Sequence, residues 1–337
     1  MGLHSGILPL TVLVGLIAGL GGAPASAQAQ EGSEPRRPVA EGAPFLLFPT
    51  GARAVGLGGA VTALASPEAG FWNPAGLAGL EQGRVMVTRG EHISGDALGI
   101  SLQYGWSGLG VVGFAYQLLD EGTLDATDQE GNVIGSFTLR NHLALLTVAA
   151  SLGSRFHVGA NLKYPRFELG CRGQCPEGRV RSTSVAMDLG VRGRPLSSIP
   201  LDLGVSLLHL GPEFRNEDAK EGAPLPGRIR VGGGWEPWTR MIEEERLAIL
   251  ITLDVEDRLR DPGDPAVLLG AEFSAGTEDR VYIRGGYTLV RATGLEGAAA
   301  GLGLRLDRFE LDIARTLPRG AIASQQEPVH LTLAVRF

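Results

Sequence analysis

Cysteine is nearly absent from this chain, which has only Cys171 and Cys175, separated by Arg-Gly-Gln. Two thiols with no histidine nearby are too few ligands for a structural zinc. A small loop disulfide is the leading reading in an exported chain. A surplus of basic residues is also lacking. The formal net charge is −7, which argues against a nucleic-acid-binding surface. After residue 27 there is no uninterrupted apolar run of the ~20 residues a membrane-crossing helix needs, so no transmembrane helix is expected. Catalytic signatures are missing as well: there is no Gly-x-Ser-x-Gly elbow and no His-Glu-x-x-His pair. Gly56-Leu57-Gly58-Gly59 looks superficially like a nucleotide loop, but no strand precedes it and no Lys-Ser/Thr pair follows. His157, His209 and His330 fall in expected strands, as scattered polar residues do in any wet lumen. The expectation is a protein without enzymatic activity, cofactor or metal.

What the chain does have is a fine mixture of apolar and polar residues. Hydrophobic residues make up 44%, there are 50 glycines, and the mean hydropathy is +0.09. Such mixing suits strands with two differently solvated faces. The N-terminus differs, with an apolar run from Ile7 to Leu20 followed by Ala25-Ser26-Ala27. This reads as a secretory signal over residues 1–27, cleaved before Gln28, although its first residues carry no Lys or Arg. The alternative, an uncleaved membrane helix, is disfavoured by the short apolar run. No cysteine follows the cleavage site to carry a lipid anchor.

Residues 28–43, rich in Glu, Pro, Arg and Ala, are expected to form a flexible periplasmic leader. Residues 44–81 read as glycine-punctuated short helices and loops. Near their end Asn73 precedes Pro74, the order of an N-cap followed by the first helical residue, and predicts a short helix to about Leu80. From residue 82 to 337 the period becomes two. Val329, Leu331, Leu333, Val335 and Phe337 alternate with His330, Thr332, Ala334 and Arg336, and the pattern recurs at Ile249–Val255 and Phe156–Tyr164. About fourteen strands are expected, most near the ~10 residues a tilted strand needs to cross a bilayer. Connections alternate between tight turns and longer stretches such as 120–138, 167–179 and 211–225, with one long turn expected near Trp238. With an even strand number, that alternation is expected to place both termini on the periplasmic side.

A secreted β-sandwich would also alternate. However, the expected inward positions carry Lys163, Asp188, Arg228, Arg230, Glu272, Arg284, Arg305, Glu310, Asp312 and Arg336. These are too many charges for dry inner faces but ordinary for a wet lumen. The chain also ends on a strand whose last residue, Phe337, resembles the terminal signal by which the barrel-assembly machinery recognises its clients. The reading is therefore an all-β transmembrane antiparallel barrel of about fourteen strands, in the lipid of the bacterial outer membrane, with a small N-terminal helical plug. Tyr104, Trp106, Tyr116, Tyr164, Trp235, Trp238, Tyr282 and Tyr287 are expected at its interfacial girdles.

The stretch Gly51-Ala52-Arg53-Ala54-Val55-Gly56-Leu57-Gly58-Gly59-Ala60, followed by Phe71-Trp72-Asn73-Pro74-Ala75-Gly76-Leu77, resembles the start of the PorV/PorQ family of outer-membrane proteins, within the FadL-like group of barrels. About thirty residues carry that resemblance. It implies a plug in the periplasmic mouth, with Gly51, Gly58, Gly59, Asn73, Pro74 and Ala75 architectural. It also implies one of two roles: passage of small hydrophobic molecules, or a part in type IX secretion in which external loops bind partner or cargo proteins. Apolar external loops would favour passage. In sequence those loops are mostly polar, with Phe167, Phe214 and Leu225 as exceptions.

Overall fold

In the computed structural model, residues 40–80, 82–92, 94–106, 110–174, 180–216, 219–290, 297–318 and 328–337 are described. The expected signal, most of the leader and Cys175 lie outside these residues. The strands are β1 Arg84–His92, β2 Gly95–Trp106, β3 Gly110–Thr127, β4 Val133–Leu152, β5 Phe156–Gly173, β6 Val180–Thr183, β7 Ala186–Gly193 and β8 Leu201–Leu210. They continue as β9 Arg215–Asn216, β10 Arg228–Ile242, β11 Glu245–Arg258, β12 Ala266–Ala275, β13 Arg280–Val290, β14 Gly297–Leu306, β15 Phe309–Pro318 and β16 Val329–Arg336.

All pairings are antiparallel, β1 joins β16 and β4 joins β5, so the sheet closes on itself. β6 and β7 form one stave interrupted at residues 184–185, and β9 extends the stave of β8, which leaves fourteen staves in the ring. Alternation divides each stave between two environments. On β2, Leu98, Ile100 and Leu102 point outward and are at least half exposed, whereas Ala97, Ser101 and Gln103 are buried inside. Ile251 and Leu253, Ile283, Leu302, Ile313, and Leu331 and Leu333 continue the apolar outer face around the ring. A closed belt of that size is favourable only against an apolar solvent, which for a barrel is the bilayer.

Among the described residues, one end of the ring is made mostly of tight turns. Two residues, Glu243 and Glu244, join β10 to β11 with φ of 50° and 73°. The long turn expected near Trp238 is therefore absent; the hairpin continues past Trp238 by register pairing of Ile242 with Glu245. At the other end the connections are mostly longer, and there β3, β4 and β5 outgrow their expected lengths to reach 18, 20 and 18 residues. Much of the expected loops 120–138 and 167–179 is thus ladder. Alternation explains why it folds so: Leu124 faces Phe137, and Leu139 faces Leu169, on the face that continues the lumen. Arg140, Glu168 and Arg181 sit on the opposite face, so polar composition had masked an apolar inner side. The tip is closed by Asp128, which accepts from the backbone N–H groups of Glu130 and Asn132. The Asn132 amide beside it holds that carboxyl below its usual range.

Candidate functional site: a plugged lumen

Residues 41–80 run through the lumen from the long-connection end toward the tight-turn end. Gly42 donates to the Pro224 carbonyl at 2.8 Å, and Glu41 makes a bidentate pair with Arg228, both contacts 2.7 Å. Ala43 is buried. Residues 41–43 therefore belong to the plug rather than to a mobile periplasmic leader, because Arg228 supplies a charge partner inside the barrel. The plug holds a short helix α1, Ala52–Gly56, and three single 3-10 turns. Pro74–Leu77 is one of these turns, shorter than the helix expected to Leu80.

Several seats fix the plug. Asn73 caps the last turn, its Oδ1 accepting from Ala75 N at 3.1 Å, while its Nδ2 donates to the carbonyl of Thr62 (2.7 Å) and to that of Val191. Gly190 of β7 makes room for it, since a Cβ there would lie 1.9 Å from Asn73 Oδ1. Gly58 has φ of 62°, and a Cβ would meet Tyr287 N and Leu269 O at 2.7 and 2.8 Å, so only glycine fits the backbone and the gap. Gly51 and Gly59 share the left-handed side, at φ 95° and 79°. Pro74 and Ala75 are buried against the β4, β5 and β7 wall.

The charged seats lie mostly on the other side. Glu272 binds Arg53 of α1 (3.1 Å) and Arg284 (2.6 Å), and Arg284 reaches Asp312. Asp254 accepts from Val61 N, Thr62 N and Arg230, at 2.9–3.1 Å. Lys163 pairs with Asp188 at 2.6 Å, and Asp188 also accepts from the His209 amide, which a left-handed backbone at His209 (φ 59°) turns toward it. Glu310 is buried and faces Arg305 at 3.5 Å, while Arg305 and Arg336 sit at the tight-turn rim, Arg336 donating to the Asp307 carbonyl. Each of the ten charges expected to face the lumen thus lies on the inner side or its rim. Arg53, Glu68 and Asp254 join these charges without a signal in sequence: the first two precede the strands, and Asp254 occupies one polar position of the alternating stretch 249–255. Tyr282, expected at a girdle, instead turns inward beneath Arg284 at 4.8 Å. Cys171 lies in β5 opposite Phe137.

Above the plug, at the long-connection end, is a cavity of about 390 Å³. Its lining includes the apolar Phe45, Leu46, Phe71, Trp72 and Leu268 and the polar Lys163, His209, Arg228, Arg230 and Glu256, with the Arg230 guanidinium over the Trp72 ring at 4.9 Å. Phe214 and Leu225, two of the apolar exceptions in the connecting loops, pack in one cluster with the lining residues Phe45 and Leu46. The volume falls within the range of small-molecule sites, roughly 300–1,000 Å³.

The architecture is that of known hydrocarbon-channel barrels. The toluene transporter TbuX of Ralstonia pickettii superposes with a TM-score of 0.54 at 12% identity, over 85% of this chain and 98% of that one. The toluene transporter TodX of Pseudomonas putida gives 0.54 at 11%, over 85% and 98%. The monoaromatic hydrocarbon channel CymD gives 0.53 at 10%, over 85% and 96%. Fold is shared; sequence is not. No protein-family profile matches the chain, and no curated protein matches it.

Proposed function

We propose that this protein lies in the outer membrane and passes small hydrophobic molecules through a plugged barrel. The cavity carries the reading: it lies at the long-connection end, aromatic and aliphatic side chains make up much of its lining, and the plug supplies part of that lining. The apolar inner face of the β3–β5 extension leads toward it, which supplies the apolar external surface that passage requires. TbuX and TodX are toluene transporters by description, and toluene is small enough for the cavity. The test is toluene uptake by cells expressing the protein, against cells expressing Leu268→Trp, which fills the cavity. Uptake above background with the native chain and at background with the variant is expected; equal uptake would sink the reading.

The PorV/PorQ resemblance supports a second role, in which the β3–β5 extension binds type IX secretion components. Its charged outer face, with Arg140, Glu168 and Arg181, would be the contact surface. Co-purification of a stoichiometric protein partner, lost when residues 122–136 are replaced by a two-residue turn, is the outcome that reading requires.

A further inference from the structure

Taking the cavity as the transport site, we propose that it selects neutral hydrophobic molecules bearing one hydroxyl or carbonyl group, in preference to plain hydrocarbons and to carboxylates. The charges in its lining are already balanced by close partners. Three cations line the cavity: Lys163, Arg228 and Arg230. Each already has a carboxylate of its own: Asp188 on Lys163 at 2.6 Å, Glu41 on Arg228 at 2.7 Å, and Asp254 on Arg230 at 3.1 Å. A fourth carboxylate, Glu256, lies 3.2 Å from Arg230 and 3.8 Å from Arg228 and itself lines the cavity. An arriving carboxylate would meet four anions and three cations and would have to displace one of the anions from a close pair.

Donor capacity is nevertheless left over. A lysine ammonium has three N–H groups. Lys163 directs one to Asp188 and one to His209 Nδ1 at 3.3 Å, in a residue that is almost fully buried yet borders the cavity. Since the ammonium donates to Nδ1, the imidazole proton sits on Nε2 and the ring adds no charge. A hydroxyl or carbonyl oxygen can accept from Lys163 without disturbing any ion pair, and a hydroxyl can in addition donate to a carboxylate such as Glu256. The apolar lining residues Phe45, Phe71, Leu143 and Leu268 take the hydrocarbon body. Burying a polar substituent against a charged donor is favourable, whereas a hydrocarbon leaves that donor without a third partner.

The experiment is titration calorimetry of the purified full-length barrel with three ligands of one shape: toluene, p-cresol and p-toluate, at pH 7, where the phenol is neutral. The expected order is p-cresol about tenfold tighter than toluene, with p-toluate weakest. The paired variant Lys163→Met/Asp188→Asn removes both charges together and keeps an acceptor for the His209 amide. It should lose the p-cresol advantage, the ratio of p-cresol to toluene affinity falling to about one. Binding of p-toluate as tight as or tighter than p-cresol, or equal binding of toluene and p-cresol, overturns the selectivity while leaving transport standing. If none of the three binds, the transport reading falls with it. If the paired variant does not fold, His209→Phe, which frees the Lys163 donor now spent on Nδ1, should raise the p-cresol advantage; an unchanged ratio counts against the proposal.

Discussion

Glu68 is a buried carboxylate in the plug, outside the spanning strands, and it accepts from the amides of Arg53 and Ala54 at the start of α1. Burial pushes its carboxyl up to about 7, and Asp312 adds to that, against the two amides that favour the anion. A folded value above the ordinary 4.5 means that the seated plug holds a proton which the released plug gives up. Seating should therefore be strongest below about pH 4.5 and weaken as pH rises toward 7, by up to about 3 kcal/mol. Hydrogen exchange of residues 50–80 across that window reads it, and Glu68→Gln should flatten the profile; an unaltered slope in the variant would exclude Glu68 as its source. Asp254 makes a different kind of seat, three bonds to one carboxylate. Asp254→Ala leaves Arg230 with Glu256 as its one remaining carboxylate partner and should loosen the plug by about 3 kcal/mol, seen as raised conductance of the barrel in planar bilayers. At this scale the sequence was legible where the chemistry is local. Asn73-Pro74-Ala75 declares its own cap, whereas nothing near Arg53 or Asp254 in the chain names a partner some two hundred residues away.

Elements were legible because a strand between lipid and lumen must alternate, and fourteen such stretches could be counted from their period. Their lengths were less so. The extension of β3, β4 and β5 alternates as the membrane strands do but has polar residues on its outer side, so composition reads as loop. The belt itself gives a prediction. Ile283, outward on β13 and more than half exposed, lies opposite Leu302 and Phe273. Ile283→Arg should cost about 2–4 kcal/mol if this level is near the bilayer midplane. Urea unfolding in phospholipid vesicles measures the cost; a change below half a kcal/mol would place this face in water and undo the membrane assignment.

For the whole molecule, closure depends on the seam between the first and last strands, which no local pattern encodes. β1 and β16 pair from Arg84 with Arg336 to Gly90 with His330. Phe337 finishes this seam: its N–H donates to the Gly83 carbonyl at 2.9 Å, and its ring lies where a side chain at residue 83 would go. The same ring is 63% exposed, an apolar group left outside at the tight-turn end. Exposure on that scale is poorly explained by stability of the finished barrel, because removing a mostly exposed ring forfeits little burial. We propose that Phe337 acts instead before closure, when this strand is presented to the assembly machinery. Deleting Phe337 should therefore lower the yield of closed barrel in cells severalfold and change the unfolding free energy of the molecules that do close by less than about 1 kcal/mol. The two readouts are the heat-modifiable band on electrophoresis and urea unfolding of the purified fraction. A normal yield with a destabilised barrel would assign Phe337 to the seam instead of to recognition.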